Sequence, residues 1–244
     1  QFNPRQIQKN IINEIESKLQ SGYKKIIICA PTGVGKSLVG ATVSNYFDSS
    51  FTVTASKHLQ DQYIKDIPFL KPVKGKQNFP CLKLMAAEKV ENDRRAMRWG
   101  LTCDKGQCQE RVNKNGKEVV KVCDFKPTIK QIEDNTQDSL SCHYYLQKYD
   151  ALVSKHSLWN YHAFFTIMKY NKKLFADYLD RKVTVFDEAH KIEDQIIQFV
   201  GFDIFAGQVD ECNLDHEKYN FTDLDSMIQL TDDIAFSYAK KIKD

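Results

Sequence analysis

Between a short β-branched segment, Ile26-Ile27-Ile28-Cys29, and a stretch of helical periodicity over residues 38–47 stands Ala30-Pro31-Thr32-Gly33-Val34-Gly35-Lys36-Ser37. Few loops restrict a fold so tightly. A chain that enters a glycine-rich turn as a strand and leaves it as a helix points backbone N–H groups into the turn, and glycines at 33 and 35 permit the positive-φ backbone this needs. The positive end of the following helix adds to the attraction for an anion. In this setting Lys36 reaches the β- and γ-phosphates of a nucleoside triphosphate and the Ser37 hydroxyl suits Mg²⁺, with Thr32, Gly33, Val34 and Gly35 forming the cradle.

A second element answers the first. Asp187-Glu188-Ala189-His190 follows the apolar run Val183-Thr184-Val185-Phe186. A carboxylate at the carboxyl end of a parallel strand opens into the crevice where ligands bind. Asp187 is then placed to hold Mg²⁺ through water, and Glu188 to orient or deprotonate an attacking water. His190 takes part in the same site or is an ordinary residue at the start of a helix.

The intervening sequence alternates. Residues 4–19 carry Ile7, Ile11, Ile12, Ile15 and Leu19 at helical spacing. Strands are predicted at 26–29, 51–54, 151–153 and 183–186, and helices at 38–47, 58–65 and 192–200. That order implies an α/β fold with a parallel sheet covered on both faces. Residues 75–141 break the rhythm and read as an insertion. The chain of 244 residues is 42% hydrophobic and 27% charged, ordinary for a soluble domain with a sizeable core. It has no apolar run of bilayer-crossing length and no signal-peptide pattern at its start, so an intracellular protein without membrane association is expected.

Net charge is only +3, but it is unevenly spread. Residues 65–130 hold 16 Lys or Arg against 8 Asp or Glu, and residues 203–244 hold 4 against 10. A polyanion is drawn to the first stretch and kept from the second. Within the basic stretch, Lys74, Lys76, Arg94, Arg95 and Arg98 accompany Phe79, Trp99 and Phe125. The cations suit the backbone of a single-stranded nucleic acid, and the aromatics serve equally as core or as stacking surfaces. The same stretch and its margin hold five of the seven cysteines: Cys81, Cys103, Cys108, Cys123 and Cys142. Four thiolates from one insertion bind Zn²⁺ or a [4Fe–4S] cluster, and spacing alone leaves both open. Cys29, inside the predicted first strand, reads as a buried free thiol.

The pairing of Ala-x-x-Gly-x-Gly-Lys-Ser with Asp-Glu-Ala-His resembles the superfamily 2 helicases. Phe2-x-Pro4-Arg5-x-x-Gln8 resembles their adenine-reading element, implying that role for Gln8 with Arg5. Thr54-Ala55-Ser56-x-x-Leu59-x-x-Gln62 is similar to the motif that touches the DNA backbone, implying contacts from Thr54, Ser56 and Gln62. Lys-Gly-Lys-x-Asn78-Phe79-x-Cys81, Cys123-x-Phe125, Cys142-His143-Tyr144-Tyr145 and His156-Ser157-Leu158-x-Asn160-Tyr161 together resemble the iron–sulfur branch, of XPD and DinG type. The resemblance runs along nearly the whole chain. It implies a RecA-like P-loop domain over 1–74 and 143–200, a cluster domain over 75–142, and the start of a helical arch domain over 201–244. It also implies ATP, Mg²⁺ and a [4Fe–4S] cluster rather than Zn²⁺, with single-stranded or forked DNA as partner and 5′→3′ unwinding. Gly106-Gln107-Cys108 matches the second ligand, giving Cys81, Cys108, Cys123 and Cys142 as the set and Cys103 as the alternative.

A motor of this class needs a second RecA-like domain, and no motif of one follows residue 190. The expectation is an N-terminal portion of a longer protein that binds ATP weakly and hydrolyses it poorly. The competing readings are a zinc-stabilised nucleic-acid-binding module with a regulatory nucleotide site, and a P-loop kinase or signalling ATPase. The last lacks anything resembling an acceptor site.

Overall fold

A computed structural model describes residues 3–114, 117–201, 204 and 206–241. The chain forms two compact units, Gln1–Gln195 and Ile196–Asp244. In the first, α1 (Gln6–Gln20) leads through the glycine loop into α2 (Lys36–Tyr46), followed by β1 (Ser50–Thr54), α3 (Lys57–Asp66) and β2 (Lys71–Val73). The cysteine-rich stretch folds as α4 (Leu82–Ala87), α5 (Asp93–Arg98), the hairpin β3 (Gln109–Lys114) and β4 (Lys117–Val122), and α6 (Ile129–Glu133). Alternation resumes with α7 (His143–Val153), β5 (His156–Asn160), α8 (Tyr161–Tyr170), α9 (Ala176–Leu179), β6 (Val183–Phe186) and α10 (Ile192–Val200).

One parallel sheet in the order β2-β5-β1-β6 organises this unit. Every residue of β1 is buried, as expected of a strand with neighbours on both edges and helices on both faces. Phe51 meets Trp159 and Phe164 edge-on, at centroid separations of 6.1 and 5.6 Å. Tyr149, Leu152, Tyr161 and Ile167 complete that core. Side chains set the helix starts. The Ser56 hydroxyl accepts from Leu59 N at the head of α3, and Asn160 Oδ1 accepts from Ala163 N at the head of α8. Such caps each contribute about 1 kcal/mol.

Two predicted strands are corrected. Residues 26–29 are not hydrogen-bonded into the sheet: Ile27 is 95% exposed, and Cys29, expected to be buried, is exposed. A β-branched run becomes a strand only where a partner edge meets it. Among the described residues β6 pairs with β1 alone, and the run does not reach β6's other edge. Residues 151–153 are the last turn of α7. Tyr145, Tyr149 and Leu152 recur at helical spacing along one face against the core, and a short apolar run does not by itself distinguish the two states. The strand lies just beyond, in β5, whose buried Ser157 hides its polarity by accepting from Trp159 Nε1 at 2.8 Å.

In the second unit, α11 (Ala206–Glu211) and α12 (Leu224–Lys241) enclose a small core of Val209, Tyr219 and Leu230. No helix among the described residues is long and apolar enough to cross a membrane.

Candidate functional site

The glycine loop and the end of β6 meet at one carboxylate. Gly33 and Gly35 have φ of 79° and 86°, the left-handed backbone that the turn requires. A Cβ on Gly35 would strike the Gln8 amide. Lys36 opens α2, and its Nζ donates to Ala30 O at 3.1 Å, folding the ammonium back over the glycine loop. Ser37 Oγ donates to Asp187 Oδ2 at 3.3 Å across 150 residues of sequence. The two motifs therefore build one site, with Ser37 and Asp187 placed to share a cation.

Asp187 is held on every side. Its backbone N–H donates to Val53 O at 2.8 Å, continuing the β1 pairing, and its carbonyl accepts from Tyr161 Oη at 3.1 Å. Oδ1 accepts from Glu188 N at 3.0 Å, and Oδ2 accepts from Tyr63 Oη at 2.9 Å as well as from Ser37. Tyr63, from the middle of α3, was not foreseen: a tyrosine in an amphipathic helix reads as core, and it is indeed buried. Burial, and then the Asp187 charge, raise its pKa, so it remains a donor at physiological pH. Tyr63→Phe removes that bond alone. It is expected to lower stability by about 1.5–3 kcal/mol, the usual value for a hydrogen bond to a charged group. The check is a reduced urea midpoint at unchanged m-value.

Glu188 adopts φ 55° and ψ 44°, a left-handed conformation costing a non-glycine residue roughly 1–2 kcal/mol. Such strain collects at functional sites. Its Oε2 lies 3.3 Å from His190 Nδ1, and His190 is largely exposed beside it. On the other wall, Gln8 is buried with both amide ends engaged: Nε2 donates to Val34 O at 2.9 Å, and Oε1 accepts from Arg5 N at 2.8 Å. Arg5 Nη1 donates to Gly33 O at 2.8 Å. Both residues expected to read adenine thus brace the loop backbone. Phe2 lies outside the described residues.

All five clustered cysteines line one small cavity, together with Gly106, Phe125, Lys126 and Tyr145. Cys81, Cys103 and Cys142 are buried, and Cys108 and Cys123 are partly so. A Cβ on Gly106 would stand 2.5 Å from Cys81 Sγ, so that sulfur packs directly on backbone. Cys142 stands at the N-cap position of α7. A hydrogen bond from Cys103, whose sulfur is 3.8 Å away, and then the N–H groups of Tyr145 and Tyr144 favour its thiolate; Cys103 correspondingly holds its proton. Lys76 Nζ approaches Cys108 Sγ at 3.6 Å. Five cysteine sulfurs lining one void suit a sulfur-ligated group. Sulfurs on a single Zn²⁺, with bonds of about 2.3 Å, would stand about 3.8 Å apart. Among the described residues no three donors gather that closely on one point.

The expected DNA contacts divide. Ser56 and Gln62 lie at the surface of α3 and its cap, the former partly buried. Thr54 is fully buried at the end of β1, with its hydroxyl lacking a hydrogen-bond partner among the described residues. Lys74 pairs with Asp61 at 2.7 Å, which holds the Asp61 carboxyl below its usual range. Arg94, Arg95 and Arg98 are exposed on α5.

Comparison with known proteins agrees with this geometry. The chain is similar to the ATP-dependent DNA helicase YoaA of Haemophilus influenzae, 26% identical over 260 residues, covering 94% of this chain and 39% of that protein. It therefore spans about two-fifths of that relative's length. Residues 1–220 match the family model described as type III restriction enzyme, res subunit. With a parallel α/β sheet that brings Ser37 onto Asp187, and a match over nearly all of its length, this chain belongs to that family.

Proposed function

We propose that this chain is the nucleotide-binding part of an ATP-dependent DNA helicase carrying an iron–sulfur insertion. The observation that carries the reading is the meeting of Ser37 and Asp187, which joins a phosphate loop to a metal-binding carboxylate at the edge of a parallel sheet. MgATP then lies along the loop, with Lys36 on the β/γ-phosphates and Glu188, with His190 beside it, on the attacking water. The resemblance calls for a second RecA-like domain to close this site, so the 244 residues alone are expected to bind MgATP and turn it over slowly. In the whole protein the motor moves 5′→3′ along one strand, with residues 75–142 as the cluster domain and 201–244 beginning the arch.

Cys81, Cys108, Cys123 and Cys142 would hold a [4Fe–4S] cluster, with Cys103 as the alternative ligand. The cluster's role is to staple the insertion. Charge around it supports a nucleic-acid track. Lys148 is pulled down to about 8 by burial, and then by the positive charges of Lys126 and Lys76. An anion there relieves three lysines at once.

The first experiment is the visible spectrum and metal content of anaerobically purified protein. Broad brown absorbance with about four iron atoms per chain is expected for a cluster of this type. A colourless protein with one zinc would replace this reading with the zinc-stabilised module.

A further inference from the structure

Of the three aromatic residues that accompany the basic stretch, two are accounted for. Phe79 and Phe125 pack against the cysteines. Trp99 does not: it is 51% exposed, at the end of α5. The Arg95 guanidinium lies over its ring, 4.2 Å from the centroid. One face thus lies under a cation while about half of the residue remains accessible to solvent.

The perch is rigid. Asn92 Oδ1 caps α5 by accepting from Arg95 N at 3.1 Å. Gly100, at φ 69°, ends the helix, and Leu101 N closes the turn onto Ala96 O at 2.9 Å. Ala96 is fully buried against Met85 and Val90, which anchors the helix. Basic side chains accompany the indole, with Asp93 in the first turn of the same helix. Arg94 and Arg98 are exposed on the same short helix, and the Lys105 ammonium lies over Gly100. None of the three arginines is ion-paired to a carboxylate among the described residues.

We propose that Trp99, backed by Arg95, is a stacking ledge for an unpaired base of single-stranded DNA, with Arg94, Arg98 and Lys105 on the flanking phosphates. This rests on the reading of the chain as a DNA motor and adds to it a specific aromatic subsite. A flat ring beside arginines that have no carboxylate partner among the described residues matches a ligand that is aromatic and polyanionic at once.

The protein carries its own probe. Its only other tryptophan, Trp159, is 1% exposed in the core, so quenching by a bound strand reports on Trp99. The experiment titrates the cluster-containing chain with oligo(dT), following tryptophan emission and, separately, the anisotropy of a labelled oligonucleotide. Quenching on binding is expected. Trp99→Ala should weaken binding about tenfold with an unchanged log–log salt slope, and Trp99→Phe should retain most of the affinity. Arg98→Gln should instead lower the slope by roughly 0.7, the share of one phosphate contact on a single strand. Unchanged affinity in Trp99→Ala, or binding without quenching, overturns the ledge and leaves the DNA-motor reading standing. Failure of the wild type to bind oligo(dT) at low salt overturns both. Equal quenching by poly-glutamate, lost in Trp99→Ala, assigns the ledge to an acidic protein and also overturns the proposal.

Discussion

Replacing Lys36 with alanine is expected to weaken MgATP binding by about 2–3 kcal/mol, roughly 30- to 150-fold, while the protein stays folded. The ammonium is a charge-assisted donor with no anionic partner among the described residues. Its one hydrogen bond is to the Ala30 carbonyl at 3.1 Å, on the loop it belongs to. That bond is replaced when phosphate arrives, so little of the fold depends on it. The sheet, the Ser37–Asp187 contact and the Tyr63 bond involve other atoms and should persist. Titration with a fluorescent nucleotide analogue in Mg²⁺, alongside thermal melting, separates the two effects. Nucleotide affinity within twofold of wild type would remove Lys36 from the phosphate site. Oligonucleotide binding by the same variant should remain intact, which argues against the kinase alternative.

The second large effect is expected at Cys142. Cys142→Ser should abolish most of the visible absorbance and iron and loosen the insertion, so that limited proteolysis cuts within residues 75–141 before the sheet opens. The residue joins three features: it lines the cysteine cavity, it stands at the N-cap position of α7, and its N–H donates to Phe125 O at 2.6 Å. The far end of α7, at Leu152, is fully buried in the sheet core, so the helix runs from the cavity to that core. Serine preserves the shape and removes the soft ligand, and a hydroxyl is a poor substitute for thiolate on iron. Cys103→Ser provides the contrast. With Cys81, Cys108, Cys123 and Cys142 as ligands it should keep its colour, although Cys103 is more deeply buried than Cys108 or Cys123. Full iron content in Cys142→Ser would refute the proposed ligand set.

The sequence was most legible where one local pattern determined structure without outside help. The glycine loop needs only its own backbone, and strands 51–54 and 183–186 are uniformly apolar or β-branched. Residues 26–29 have the same composition and no partner, which shows that strand formation depends on the neighbouring edge. β5 was missed for the opposite reason: its histidine, serine and asparagine conceal a central strand whose serine is satisfied internally by Trp159. Lys36, Ser37 and Asp187 could be found from spacing because their chemistry dictates residue type. Tyr63 and Tyr161 could not, since only the fold shows that their hydroxyls point at residue 187. The one available clue was Tyr63's place directly after Gln62, on the face of α3 turned away from the proposed strand contact.

That placement gives α3 two faces with different business. Its solvent side carries Ser56 and Gln62, and its inner side sends one phenol to the oxygen that Ser37 also touches. A helix behaves as a stiff rod over ten residues, and the Tyr63 hydroxyl ties this one to the Asp187 carboxylate. Under the proposed function, a displacement of α3 would bear directly on that carboxylate, with no loop between them.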